Sequence, residues 1–563
     1  MTKMKRIIDF LNILNLNEDK KYIIKPKVIS ILNNNTELLE QELFEQQILG
    51  QEIKEPTNDS RKTNENYSFV AIKGINSDGH NYIAQSIENG CRLIFCENIN
   101  DETKNLINNS ENVVCIQVDN CRKLLSYLAN YLFDFPSEDL DVFAVTGTNG
   151  KTTVTYILRS LLYAYSIDEI GIIGTTGIFY NGKSIEATHT TPESIDLIKI
   201  IVQMKNEGVK KIVMETSSHA LEQFRVANIN FRGAIFTNLT LDHLDYHKTM
   251  ENYASAKKIL FDNLSKDAFA ILNEDDKYTG IMLKDCQAKV SLVSFDELND
   301  AIATKDNNDN KINRFKVATK NISTNGISFS LNQINKNIQT PLEINSNLIG
   351  NFNIQNLALC LVLVNLYGID NNLLIQKAKN IVAAKGRMET FKLEYSNKDN
   401  SNNPNFDIIN NQILAVIDYA HTPDSLEKAL MTLQEVKSES QKLICIFGCG
   451  GDRDKTKRPI MGGIAYNLAD ITIITDDNPR TEVSIDIIND IKAGITEVNF
   501  NLTNNQKLYT IPDRKEAIQT AIKIAKSNDI ILIAGKGHEQ YQIIGTEKIY
   551  FSDENVISKY LVK

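Results

Sequence analysis

The sequence predicts an α/β protein of three domains built on doubly wound sheets, and three observations lead there. The chain has 563 residues, more than one core supports. From about Leu140 onward, short apolar runs of strand length alternate with segments whose apolar residues recur at helical spacing. Polar, glycine-rich clusters follow those runs one after another, as they do where open sheets present ligand sites beyond the carboxyl ends of their strands. The expected domains are 1–138, 139–384 and 385–563.

Composition removes several classes of function. The hydrophobic fraction is 42%, ordinary for a globular protein. Acidic residues outnumber basic ones, 71 to 61, for a net charge of −10, and no Lys/Arg-rich block occurs, which argues against a nucleic-acid partner. The eight cysteines are scattered without a C-x-x-C pair, and Cys445 and Cys449 have no nearby histidine to complete a zinc set. Reduced thiols in a cytoplasmic protein are expected. No apolar run has the length of a membrane span. The opening segment to Phe10 is broken by Asp9, Asn12 and Asn15, so it reads as a short amphipathic helix rather than a secretion signal. The expectation is a cytoplasmic monomer that acts on small molecules, with neither membrane nor nucleic acid as partner.

In the first domain, Asn58-Asp59-Ser60-Arg61 is a polar turn, Tyr67–Gly74 contains a strand, and a loop runs through Ile75, Asn76 and Ser77 to His80. Ser60 and that loop suit a polar ligand or simple turn chemistry equally well. Asn33–Glu52 reads as an acidic helical insertion.

The second domain opens with the strand Asp141–Val145 and the turn Gly147-Thr148-Asn149-Gly150-Lys151-Thr152-Thr153, followed by the helical segment Val154–Leu162. A glycine-rich turn between strand and helix lets backbone N–H groups surround a phosphate. Lys151 adds a charge on the outer phosphates, and Thr152 offers a hydroxyl to Mg2+. Val145 stands where the usual P-loop pattern has its first glycine, so the match is imperfect, and a surface turn with a chance Gly-Lys-Thr is the competing reading. The turn implies a nucleoside triphosphate without saying what its energy drives.

Further strands are expected at Val209–Met214, ending in Glu215-Thr216-Ser217, and at Ala234–Asn238, ending near Asp242 and His243. Gly171–Gly177 and His189-Thr190-Thr191-Pro192 supply two more polar clusters. With Thr152, Glu215 is the better magnesium ligand by hardness and His243 the weaker, a hydrogen-bonded loop histidine being the alternative. Lys257 lies in a predicted helix over Asn252–Phe261, on the face that carries Tyr253, Ala254, Leu260 and Phe261. Such a lysine either snorkels to solvent or has its amine altered by its surroundings. Residues 300–345 read as a small antiparallel appendage, and a helix is expected from Ile354 after Gly350-Asn351-Phe352-Asn353.

The third domain begins near Gly386-Arg387-Met388-Glu389, and Asn397–Asn411 reads as a solvated insertion. Strands at Leu414–Ile417, Leu443–Phe447, Asp470–Ile474 and Ile530–Ile533 each end in a polar cluster. Those clusters contain Asp418 and His421, Arg453, Asp477-Asn478-Pro479-Arg480, and Gly535 to Glu539. This is a second doubly wound, Rossmann-like sheet without a P-loop of its own. Asp477, Asn478 and Arg480 around a rigid proline turn suit a zwitterion: Arg480 for a carboxylate, Asp477 for an ammonium, with Glu539 as a second candidate. A polar loop with an internal Asp–Arg pair is the plainer reading.

Taken together and in this order, these motifs resemble the Mur ligases, ATP-dependent amide-bond formers of peptidoglycan synthesis. The resemblance implies a central P-loop-type ATP-binding domain between a UDP-substrate-binding domain and a C-terminal amino-acid-binding domain. It further implies the branch that adds meso-diaminopimelate to a UDP-muramoyl dipeptide, because Asp-Asn-Pro-Arg marks that branch. Diaminopimelate carries a second amino-acid end that lysine lacks, and a buried Arg480 would be left unpaired by lysine.

By the same resemblance, Ser60 and the loop of Ile75, Asn76 and Ser77 would hold the UDP part. Thr190, Thr191, Ser217, Gln223 and Arg225 would hold the muramoyl dipeptide. Gly147 to Thr153, with Asn353, Arg387 and Asp418, would bind ATP. Thr152, Glu215, His243 and a carbamylated Lys257 would bind Mg2+. Arg453, Asp477, Asn478, Pro479, Arg480, Gly535 and Glu539 would bind diaminopimelate. Lys151, Lys257 and the motif histidine His421 would serve the reaction itself, which closure of the third domain would shield from water. Two rivals remain: a lysine-adding or other amide ligase of this fold, such as a folylpolyglutamate-type enzyme, and a P-loop switch or binding module that hydrolyses ATP to change shape.

Overall fold

The structure is a computed structural model, described over residues 5–15, 27–33, 52–74, 77–110, 112–295, 312–334, 341–396, 410–498 and 507–561. It divides into two compact units. The first is Met1–Lys316 with Gln333–Ile338 and Leu359–Ile369; the second is Val317–Asn332 with Gln339–Ala358 and Asp370–Lys563. The segments expected as 1–138 and 139–384 therefore fall mostly together in the first unit, on two separate sheets.

The amino-terminal sheet has the order Val28–Asn33, Val114–Val118, Leu93–Cys96, Tyr67–Val70, Glu55–Thr57. Only its first pairing is antiparallel. The helix Ile7–Asn15 covers it by burying Ile7 and Phe10, so the opening segment is an amphipathic helix. Ile75 and Asn76 lie outside the described residues, as do 34–51 of the acidic stretch, 300–311 and 335–340 of the Asn-rich stretch, and 397–409 of the later insertion.

In the central sheet six parallel strands run Lys289–Ser294, Phe269–Asn273, Phe231–Phe236, Asp141–Thr146, Lys211–Glu215, Ile170–Gly174. Parallel strands covered on both faces must be apolar on both, and Val142, Phe143, Ala144 and Val145 are all fully buried. Asp141–Thr146 comes first in the chain yet sits inside the sheet: its connection runs to one side, to Ile170–Gly174, and that of its neighbour Phe231–Phe236 runs to the other, to Phe269–Asn273. That is a topological switch point, where a crevice opens beyond the strand ends. The glycine-rich turn lies there.

After the strand Ile170–Gly174 the chain turns at once into the hairpin Gly177–Tyr180 and Lys183–Ile185. The Asn-rich stretch, expected as a small antiparallel appendage, is antiparallel in part but joins the central sheet. Asn313–Ser323 begins parallel to Lys289–Ser294, extending the sheet, and only its later part turns antiparallel in Gly326–Gln333 and Leu342–Ser346.

The second unit carries the order Glu389–Ser396, Asn410–Asp418, Ile530–Ala534, Leu443–Phe447, Ile471–Ile474, Lys507–Thr510, parallel from its second strand onward. Four strand ends, at Asp418, Phe447, Ile474 and Ala534, therefore open on one edge. A fully buried ion pair braces that edge: Arg514 Nη2 lies 2.7 Å from Asp553 Oδ2 and donates to the Ala534 carbonyl at 3.0 Å. Among the described residues no helix is long and apolar enough to cross a membrane.

Candidate active site

The glycine-rich turn is built to leave backbone N–H groups open. Gly147 (φ +149°) and Gly150 (φ +85°) adopt conformations that favour glycine, and a Cβ on Gly147 would stand 1.9 Å from Thr237 Oγ1. Gly150 offers no side-chain cap, so the helix Lys151–Leu162 presents its first N–H groups and the positive end of its dipole to the crevice. Asn238 holds the turn from the next strand end: its carbonyl accepts from Thr148 N–H at 2.8 Å and its Oδ1 from Asn149 N–H at 3.0 Å. Lys151 Nζ folds onto the turn itself, donating to the carbonyls of Gly147 (2.9 Å) and Thr148 (2.8 Å).

Glu215, at the end of its strand, is almost fully buried and gathers three donors. Thr152 Oγ1 reaches it at 2.9 Å, Thr175 N–H at 2.9 Å and Thr175 Oγ1 at 3.1 Å. Thr175 escaped the motif reading because only the close approach of Gly174, where a Cβ would lie 2.4 Å from Glu215 Oε1, brings it in. A buried carboxylate beside a threonine hydroxyl and an uncapped helix is a donor set of hard oxygens, and it fits both a phosphate chain and a divalent cation. Among the described residues no three His, Cys, Asp or Glu side chains gather into a metal set by themselves.

Lys257, from the helix Met250–Asp262, is 1% exposed. Its Nζ donates to Gly147 O at 3.0 Å and lies 4.5 Å from the centroid of the Tyr253 ring; among the described residues it has no ion pair. Burial, and then the neighbouring Lys151 ammonium, push its pKa well below the ordinary lysine value, against a smaller pull from Asp242. Snorkelling is thereby excluded.

His243, in a left-handed conformation (φ +52°), has its ring centroid 5.1 Å from that of His219 and 6.0 Å from that of Tyr253. His247, unmentioned by any motif, stacks on Tyr253 at 4.9 Å and meets Ser218 Oγ at 2.8 Å. Desolvation, reinforced by His219 and Lys257, drives the His247 pKa down to about 4.

Beside Glu215 the substrate candidates assemble. Thr191 Oγ1 donates to the Glu215 carbonyl (2.9 Å) and accepts from Ser217 N–H (3.1 Å), while Thr190 meets Thr175 at 3.1 Å between hydroxyls. Arg225 pairs with Glu193 at 2.7 Å and donates to Thr191 O (3.2 Å) and Gln223 Oε1 (2.8 Å). The buried Nε of Arg225 and Oγ1 of Thr216 have no partner among the described residues. Ser60 opens the short helix Ser60–Lys62 that follows the edge strand Glu55–Thr57, with Oγ 3.2 Å from Gln85 Oε1, and Ser77 accepts from Gly74 N–H at 2.8 Å. No described contact joins these two serines to the Glu215 group.

In the second unit Asp418 is bound at both oxygens, by Met388 N–H (2.8 Å) and Ala420 N–H (2.9 Å), and burial raises its pKa against those bonds and the Arg387 charge. Arg387 lies over the Tyr419 ring at 5.2 Å, and its buried Nε, like Nδ1 of His538, is unpartnered among the described residues. His421 is exposed, 4.6 Å from Tyr419 between ring centroids. Asn353 is buried, donating to Ile349 O at 2.8 Å.

The proline turn is anchored from three sides. Arg480 takes φ +51°, and its backbone is held by the hairpin Tyr541–Ile544 and Glu547–Tyr550: Arg480 N–H donates to Ile543 O at 3.0 Å, and Gly545 N–H donates to Arg480 O at 2.7 Å. Its guanidinium donates to Gly451 O at 2.7 Å. It therefore has no ion pair with Asp477, contrary to the plainer reading of the loop. Pro479 presses on Gly451, where a Cβ would lie 1.9 Å from its carbonyl oxygen. Arg453 is exposed on the same loop, and Gly535 donates its N–H to Asp418 O at 3.0 Å. Asp477 and Glu539 face a group the motif reading left without a role. Lys536, fully buried, has its Nζ 3.4 Å from Asp477 Oδ1, 3.3 Å from Glu539 Oε2 and 3.2 Å from Asn478 Oδ1.

Comparison with known proteins gives a consistent result. Three family models match: "Mur ligase family, catalytic domain" over residues 52–132, "Mur ligase middle domain" over 145–364 and "Mur ligase, glutamate ligase domain" over 406–537. A protein of Phocaeicola vulgatus named UDP-N-acetylmuramoyl-L-alanyl-D-glutamate--2,6-diaminopimelate ligase is 38% identical over 507 residues, covering 90% of this chain and 94% of that one. One of the same name from Clostridium tetani is 36% identical over 542 residues, covering 96% and 99%. A solved structure of a ligase of that name superposes with a TM-score of 0.63 at 29% identity, covering 94% of this chain and 98% of that one.

Proposed function

The chain belongs to the Mur ligase family, and on that premise we propose that it is an ATP-dependent, ADP-forming acid–amino-acid ligase of peptidoglycan precursor synthesis. It joins meso-diaminopimelate to UDP-N-acetylmuramoyl-L-alanyl-D-glutamate. The observation that carries the specificity is Arg480, held at φ +51° with its guanidinium on the Gly451 carbonyl, on the turn whose Asp477, with Glu539, faces Lys536. That arrangement suits an incoming amino-acid end: carboxylate to Arg480, ammonium to Asp477 and Glu539.

In this reading residues 1–138 bind the UDP part through Ser60 and the 75–77 loop. Residues 139–384 bind ATP and the dipeptide, and residues 385–563 bind diaminopimelate. The D-glutamyl side-chain carboxylate attacks the γ-phosphorus of ATP and ADP leaves. Lys151 and the N–H groups of the Gly147–Thr153 turn stabilise the charge on the transferring phosphoryl group. Mg2+, held by Thr152, Glu215, His243 and a carbamate on Lys257, would neutralise phosphate charge. Lys257 is suited to that modification because burial beside the Lys151 ammonium, with no ion pair among the described residues, favours the neutral amine, which adds to CO2 and releases a proton to give an anionic carbamate. The diaminopimelate amine then attacks the acyl phosphate, the tetrahedral adduct collapses to the amide, and phosphate leaves. Arg480, Asp477 and Glu539 orient the amino acid, a proximity effect. The reading takes the enzyme as a cytoplasmic monomer.

The test uses purified protein with the UDP-linked dipeptide, ATP and Mg2+. Phosphate should appear only when meso-diaminopimelate is added, together with the UDP-linked tripeptide by mass. Equal turnover with lysine would remove the specificity, and phosphate release without any amino acid would favour an ATPase that changes shape.

A further inference from the structure

Lys536 stands between two glycines, Gly535 (φ +111°) and Gly537 (φ +53°), in a stretch whose backbone only glycines accommodate easily. That backbone drives its side chain inward, and the residue is 0% exposed. A buried ammonium requires counter-charge. Lys536 has two carboxylates, Asp477 at 3.4 Å and Glu539 at 3.3 Å, and the amide oxygen of Asn478 at 3.2 Å. All three separations exceed the 2.7–2.9 Å usual for a charge-assisted bond, so the ammonium is shared among the three and committed to none.

Each carboxylate keeps one oxygen in reserve. Among the described residues Asp477 Oδ2 and Glu539 Oε1 have no hydrogen-bond partner. The same asparagine oxygen accepts Ile543 N–H at 3.0 Å, which ties the cluster to the hairpin that fixes Arg480. Two further buried cations of the region are committed elsewhere: Arg514 to Asp553, and Arg458 to Glu482 and Asp490.

We propose that Lys536 is a positioning and specificity-determining residue, one that sets the charge balance of the amino-acid site. Arg453 is exposed to solvent; the buried and half-buried charges of the site, Asp477, Glu539, Arg480 and Lys536, sum to no net charge, which matches a zwitterionic end with one ammonium and one carboxylate. Without Lys536 the site carries one negative charge in excess and matches a bare ammonium, the end that lysine would offer. Arg480 rewards the carboxylate; Lys536 withdraws the reward for an ammonium that comes without one. The inference rests on the reading of this loop as the diaminopimelate site.

The experiment compares kcat/KM for meso-diaminopimelate and for lysine in the full-length enzyme, its Lys536→Met variant, and the double variant Lys536→Met with Glu539→Gln, which restores neutrality. The ratio of the two should fall at least about tenfold in the single variant and return to within about threefold of the wild-type ratio in the double variant. KM for ATP should stay unchanged within about twofold in both. An unchanged ratio in the single variant, or an equal loss for both amino acids, overturns the proposal, because a merely structural lysine would behave so. If the single variant does not fold, the double variant decides: its failure to fold, or a ratio unlike that of the wild type, makes the position structural and the proposal wrong. A wild-type enzyme inactive with meso-diaminopimelate would instead defeat the underlying reading of the site.

Discussion

Lys257 and Lys536 are buried to the same depth, 1% and 0% exposed, and surrounded in opposite ways. Around Lys257 the structure offers a carbonyl oxygen and the face of a tyrosine, with a second ammonium nearby. Around Lys536 it offers two carboxylates and an amide oxygen. Burial alone therefore does not assign a lysine its role. An amine without counter-charge is pushed toward its neutral, nucleophilic form, which is what the proposed carbamate on Lys257 requires. An amine with two carboxylates becomes a fixed element of a recognition surface.

The largest expected effect falls on the first lysine. Lys257→Met should lower amino-acid-dependent phosphate release by about a hundredfold or more, the scale of losing one charge-stabilising group, without loss of the folded protein. A variant that turned over normally would break the contrast by making Lys257 a bystander. Next comes the recognition surface. Arg480→Ala should raise KM for meso-diaminopimelate by roughly tenfold to a hundredfold, as for a lost hydrogen bond to a charged group, while KM for ATP stays put.

The same substitution should then give opposite results on stability in denaturant titrations. Lys536→Met leaves two part-buried carboxylates facing each other and should cost about 2 kcal/mol. Lys257→Met replaces an unpaired amine by an apolar chain of similar length and should be neutral or stabilising. If both variants lost equal stability, the difference in company would not matter.

A last effect, read only as a pH slope, concerns His247, which shares the Tyr253 ring with Lys257. Its folded pKa of about 4 lies below the unfolded value near 6.5, so the unfolded chain binds more protons between the two. Stability should fall by roughly 1–3 kcal/mol as pH drops through that window, and His247→Phe should flatten the slope.

How far the sequence reveals these sites depends on how local they are. The Gly147–Thr153 turn, Glu215 at a strand end and the Asp477–Arg480 turn are legible because each motif is contiguous and its strand can be read from apolar periodicity. Lys257 was legible as a lysine on an apolar face, and burial removes the snorkelling alternative. Lys536 was not legible, because its partners Asn478 and Asp477 lie 58 and 59 residues away, on another strand end. Thr175 and His247 were hidden for the same reason: tertiary packing, not spacing, brings one to Glu215 and the other to Tyr253. The hairpin at Gly177–Ile185 follows its strand after only two residues, too short a gap for apolar periodicity to separate them.

The most direct test of the account is a crystal structure with meso-diaminopimelate and a non-hydrolysable ATP analogue. The account predicts the distal carboxylate of the amino acid on Arg480, its ammonium within hydrogen-bond reach of Asp477 or Glu539, and the triphosphate on the Gly147–Thr153 turn. An amino acid bound elsewhere, with Arg480 still on the Gly451 carbonyl, would contradict it.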